Sequence, residues 1–290
     1  MQLNRSSRKH RLIGLACILF TFLLLFKPFH YLHEKLSFDD ASYISHAFTI
    51  GIDFDLDYSN ELYNYNPKIP ANKNQSTPPN PVGTGIIAAP VVFLFSLLDR
   101  IADAPVIENR ADFKGSWAYF GFGLSASLAF MAGLFLYYDS IERIFSDFPR
   151  WLVLLMVCSF GMPYYVVNHF TLSHVFEFFS IAMVFWSSLR LYSSNGKFRY
   201  LLIIVIPFSM ALTYLVRPAD VNVFLLPFIV WLVMRIVSND YRKPLHNKKE
   251  ILCFILSVCI SIVFLIIINN KLYNVWFPSF SDMYGYRSHN

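Results

Sequence analysis

Long apolar runs alternate with short polar breaks along most of the 290 residues. The runs cover about 12–29, 116–138, 151–167, 170–192, 200–216, 219–237 and 251–268. Each comes close to the ~20 residues that an α-helix needs to cross the hydrocarbon core. A shorter run, Thr84–Leu98, rises only about 22 Å at ~1.5 Å per residue. Before it, Phe38–Phe48 opens with two acids and then places Ile44, Ala47 and Phe48 on one face at helical spacing. The pattern predicts an all-α polytopic membrane protein, a single transmembrane domain over 1–290 with about seven spanning helices. Juxtamembrane or re-entrant helices are expected at about 39–50 and 84–98, inside an outer loop of residues 30–115.

Charge decides how 84–98 is read. Three loops carry Arg143 and Arg150; Lys197 and Arg199; and Arg235, Arg242, Lys243, Lys248 and Lys249. With 84–98 outside the bilayer core, all three share the cytoplasmic side with the basic N-terminus. With 84–98 as a span, those nine cations would face out, against the positive-inside rule. The expectation is therefore a cytoplasmic N-terminus and an uncleaved first helix, because no small-residue cleavage site follows Phe26.

Composition agrees. The chain is 56% hydrophobic and 15% charged, where a soluble domain carries about 25% charged residues. The net charge of +5 speaks to orientation, and no basic stripe has the spacing of a nucleic-acid face. Cys17, Cys158, Cys253 and Cys259 lie in apolar runs and are placed for neither disulfides nor zinc. Asp53, Asp55 and Asp57 alternate as in a calcium loop, but Tyr58 stands at the sharp-turn glycine and Asn64 at the bidentate glutamate. An acidic extended loop describes them better.

On this topology the ionisable residues at the membrane edge gather on the outer face: Asp39 and Asp40; His169, His174 and Glu177; Arg217 and Asp220. Charge near lipid is costly and tends to mark a cavity or site. Each has a plainer reading as well. The acidic pair caps a surface helix; His174 and Glu177, three apart, make an interhelical contact; Arg217 and Asp220 close a tight turn with a local ion pair.

Phe38-Asp39-Asp40-Ala41-Ser42-Tyr43, the turn Asn80-Pro81-Val82-Gly83-Thr84-Gly85, then Leu172-Ser173-His174-Val175-Phe176-Glu177 and Leu215-Val216-Arg217-Pro218-Ala219-Asp220 follow in that order. In order and topology, over roughly residues 10–235, they resemble the GT-C superfamily of membrane glycosyltransferases. The nearest flavour is the bacterial branch related to protein O-mannosyltransferases and lipid A aminoarabinose transferases.

The resemblance implies an inverting transfer of a sugar from a polyprenyl-phosphate carrier to a lipid, glycan or protein acceptor. The reaction would run on the non-cytoplasmic face of a bacterial inner membrane. It implies Asp39 as general base or acceptor-orienting group, with Asp40 in support or helping to hold a divalent cation where one is used. Arg217 would meet the leaving phosphate, with Lys73 and Lys35 as further candidates, and His174 and Glu177 would line the cavity. Family members usually continue with more spans, so the chain ending at Asn290 is expected to be a truncated form. Two other classes compete. A transporter of lipid-linked glycans predicts polar residues deep in several spans and an internal repeat. A non-catalytic scaffold or degenerate transferase predicts an acidic pair that can be changed without loss of activity.

Overall fold

The computed structural model describes residues 38–58, 78, 80–102, 116–145, 150–159, 161–238, 245, 247–276 and 278. All regular structure among them is helical. The expected first span, at about 12–29, lies outside the described residues.

Helix α1 (Phe38–Phe48) carries Asp39 and Asp40 in its first turn, where they meet the positive end of the helix dipole. It widens into a π-helical turn, Thr49–Asp53, and stops at Phe54, whose φ of 60° is left-handed. The helix is not the surface element its pattern predicts: every residue from Ala41 to Thr49 is buried. The reason lies in the partner helix, α2 (Gly83–Ile101). A Cβ on Gly85 would stand 2.4 Å from the Cβ of His46, and one on Gly51 2.7 Å from the carbonyl oxygen of Ala89. Glycine at both crossings lets the two backbones touch, so polar positions that a one-sided helix would leave wet are covered.

Helix α2 runs to 19 residues, about 28 Å, and is apolar and long enough to cross a bilayer. The length argument for a short 84–98 segment therefore fails. Asp99 and Arg100 interrupt the apolar run without ending the helix. The Asp99 carboxylate instead accepts the backbone N–H groups of Trp117 (2.7 Å) and Ala118 (2.9 Å). Together with the Ser116 hydroxyl, which accepts from the Tyr119 N–H at 3.0 Å, it caps helix α3 (Trp117–Ile144).

Helix α2 lies antiparallel along the N-terminal part of α3, with Gly121 of α3 against Val91 and Phe95. Further along α3, Gly133 meets Phe178 and Phe179 of helix α6 (His174–Ser193). The first residue of α2, Gly83, touches Leu215 and Val216 at the end of helix α7 (Gly196–Val216). Helix α2 is thus stacked on the end of the α6–α7 pair.

The expected span 151–167 is two short helices, α4 (Arg150–Ser159) and α5 (Met162–Asn168). Gly161, at φ 73°, turns the chain left-handed between them, and neither piece reaches bilayer length. After α7 come a 3₁₀ segment, Pro218–Leu225, and helices α8 (Leu226–Ser238) and α9 (Lys248–Tyr273). Six described segments are long and apolar enough to span: α2, α3, α6, α7, Pro218–Ile236 and α9. The fold is that of an all-α polytopic membrane protein.

The main core lies between α1, α2, α3 and α6, where Phe122, Phe170, Val175 and Phe176 are almost fully buried. At the far end of the bundle, Arg199 Nε donates to Glu250 Oε1 at 3.0 Å, and its Nη1 donates to the carbonyls of Leu191 (2.6 Å) and Ser194 (3.3 Å). That pair pins the starts of α7 and α9 to the end of α6.

Candidate functional site

Arg217 ends α7 as its C-cap, in extended conformation, because Pro218 follows it and disfavours a helical residue there. Its Nη1 donates to Glu177 Oε2 at 2.9 Å and lies 3.4 Å from His174 Nδ1. His174 Nδ1 is also 3.4 Å from Glu177 Oε2. His174 and Glu177 share one face of the first turn of α6, as their spacing requires, and the His174 ring packs on Tyr165 with centroids 4.4 Å apart. The Arg217 side chain is 37% exposed and that of Glu177 17%. Asp220, in the 3₁₀ segment, brings a second carboxyl group up to Glu177.

The acidic pair divides its work. Asp39 is exposed and its Oδ1 accepts from the Asn80 carboxamide at 3.1 Å. Asp40 accepts from the Thr171 hydroxyl, three residues before His174. Asn80 is held from three sides, since its backbone N–H donates to Ser42 Oγ at 3.2 Å and its carbonyl lies 2.7 Å from His46 Nε2. The other nitrogen of His46 is 2.7 Å from the Tyr58 hydroxyl. Burial lowers the His46 pKa from 6.5 to about 4, so the ring is neutral: Nε2–H donates to Asn80 and Nδ1 accepts from Tyr58.

Asp39, Asp40, His174, Glu177 and Arg217 are therefore gathered at one end of the bundle. The Asp40–Thr171 bond and the contact of Gly83 with Val216 carry that convergence. Lys73 and Lys35 lie outside the described residues. His169 bonds the Tyr164 hydroxyl at 3.0 Å rather than a member of the cluster. Sequence reasoning missed Asn80, Thr171 and His46 as site-building residues. Asn80 stands in the Pro-Gly turn and could have been found there; Thr171 and His46 carry no local signal.

Among the described residues no group of three or more His, Cys, Asp or Glu is arranged to hold a metal ion. Asp53, Asp55 and Asp57 are no exception, and Asp55 instead accepts the Asp57 N–H at 3.1 Å in a local turn. An apolar cleft lies along α6 on the side that faces α3. It begins at Phe178, next to Glu177, runs along α6 past Ile181 and Phe185, and is closed by Tyr137 of α3 and Leu226 of α8.

Compared with protein-family models, curated proteins and solved structures, the chain matches none. The chemistry of the cluster rests on its own residues. It offers an exposed carboxylate with a fixed orientation and a partly exposed guanidinium fork.

Proposed function

We propose that the chain is an inverting membrane glycosyltransferase that moves a sugar from a polyprenyl-phosphate carrier to an acceptor hydroxyl or amine. In this reading the N-terminus is cytoplasmic and the Asp39–Arg217 end faces the opposite side of a bacterial inner membrane. The observation that carries it is the convergence of Asp39 and Asp40 with Arg217 at one end, although 177 or more residues separate them in sequence.

Asp39 takes the proton from the acceptor as the acceptor oxygen or nitrogen bonds the anomeric carbon. The bond from that carbon to the phosphate oxygen breaks with inversion, and polyprenyl phosphate leaves with the electron pair. Asn80 holds the Asp39 carboxylate in orientation. Arg217 meets the charge growing on the phosphate, a role for which a guanidinium fork is suited. The isoprenoid tail runs along α6 into the apolar cleft from Phe178 to Phe185. Lipid, glycan and protein acceptors all present the required nucleophile.

A non-catalytic scaffold is the second reading, favoured by one observation. Arg217 already has a carboxylate partner in Glu177, and Asp220 adds another beside it, so the guanidinium is largely neutralised before any phosphate arrives.

The test is release of polyprenyl phosphate from polyprenyl-phosphate sugars by purified protein with acceptor-bearing membranes. Wild type is run beside Asp39→Asn, which keeps shape and removes the base. Release by the wild type alone supports the transferase. Equal behaviour of both across a donor panel sinks it in favour of the scaffold.

A further inference from the structure

A second charge cluster occupies the opposite end of α3 and α6. Asp139, near the end of α3, takes its contacts on one oxygen, Oδ2: Arg143 Nε at 2.9 Å, Trp186 Nε1 at 2.9 Å and Arg190 Nε at 3.3 Å. The Arg190 guanidinium lies over the Trp186 ring, 5.6 Å from its centroid. One carboxylate thus faces two guanidiniums, an excess of one positive charge. Both arginines reach Asp139 through Nε. Both side chains are partly open, at 27% and 30% exposure.

The surroundings fit an amphiphile. Leu128 and Phe135 stand eleven and four residues before Asp139, on the same face of α3, and both are exposed. An apolar strip therefore runs from the arginines toward the middle of the helix. Trp186 has the amphipathic character of side chains at the headgroup level. The cluster shares its end of the bundle with Lys197, Arg199, Lys248 and Lys249, because Arg199 bonds the Leu191 carbonyl and the Glu250 carboxylate.

We infer that Arg143 and Arg190 bind the phosphodiester of an anionic phospholipid, with its acyl chains along Leu128 and Phe135. Two forked donors beside one carboxylate suit a phosphate that brings the balancing charge. Basic pockets between spanning helices at an anionic leaflet are where such headgroups settle. The site is remote from Asp39 and does not rest on the transferase reading.

The experiment is native mass spectrometry of the purified full chain titrated with phosphatidylglycerol or phosphatidylcholine of matched chains. The wild type should retain phosphatidylglycerol roughly tenfold better or more, the preference expected of two interfacial arginines. The Arg143→Gln/Arg190→Gln variant should bring the two lipids within about twofold. Equal retention by the wild type, an undiminished preference in the variant, or displacement of the lipid by inorganic phosphate would overturn the assignment. Should that variant not fold, the wild type is labelled with an anionic phospholipid bearing a photoreactive group beside its phosphate. Adducts on 138–144 or 186–193 support the site; adducts confined elsewhere show that the arginines only clamp α3 to α6.

Discussion

The His46 ring lies 2.7 Å from the Asn80 carbonyl, and Asn80 in turn holds the Asp39 carboxylate at 3.1 Å. A fully buried imidazole is thus two steps from the proposed base. Its lowered pKa has a definite sign in stability. The folded state keeps His46 neutral down to about pH 4, whereas the unfolded chain takes a proton near pH 6.5. The unfolded state therefore binds more protons between these values, and stability is full above pH 6.5 and falls as pH drops toward 4. The loss should reach roughly 3 kcal/mol from this residue. Melting temperatures in detergent over that window, compared with His46→Gln, check it: the variant should show a flatter pH dependence, and parallel curves would contradict it.

Two glycines should respond very differently to alanine. At Gly85 the new Cβ would meet His46 at 2.4 Å and the backbone nitrogen of Ala47 at 2.8 Å. Gly85→Ala should then cost about 3 kcal/mol or prevent α1 and α2 from docking. Gly161 has nothing within 4 Å but sits at φ 73°. Gly161→Ala should cost only the left-handed penalty, about 1–2 kcal/mol. Detergent unfolding of the two variants side by side gives the comparison.

The Arg199–Glu250 pair is almost wholly buried. Arg199→Met strands the Glu250 carboxylate and should lose about 3–5 kcal/mol. Arg199→Met/Glu250→Leu should recover a large part of that loss, although the Leu191 and Ser194 carbonyls still lose their donor. Additive effects in the double variant would mean the two charges do not act as a pair.

In the transferase assay, Arg217→Lys keeps the charge but loses the fork. Turnover should fall about tenfold or more, while folding survives. Full activity in Arg217→Lys would leave the guanidinium without a role in phosphate recognition.

Apolar periodicity located the helices well where packing partners are close in sequence. The run 200–216 became α7, Gly196–Val216, and 251–268 lies inside α9, Lys248–Tyr273. It failed at two places for physical reasons. The apolar run ends at Leu98, but the helix continues to Ile101, and the Asp99 carboxylate caps α3 across an 18-residue gap that local pattern does not reveal. The continuous apolar run 151–167 hides the left-handed turn at Gly161, which shows only in the backbone. At the site, the i,i+3 pair His174 and Glu177 was legible because a helix places such residues together. His46 was not, because Tyr58 and Asn80 stand 12 and 34 residues away.

The glycine contacts also divide the site mechanically. Gly51, Gly83 and Gly85 seat α1, α2 and the end of α7 backbone against backbone, a plate held together by protein contacts. The strip from Pro218 to Ile236, which brings Asp220, has only 6% of its residues buried in protein. The strip thus depends on lipid where the plate depends on protein, and the Glu177–Asp220 distance is the gauge of any shift between them.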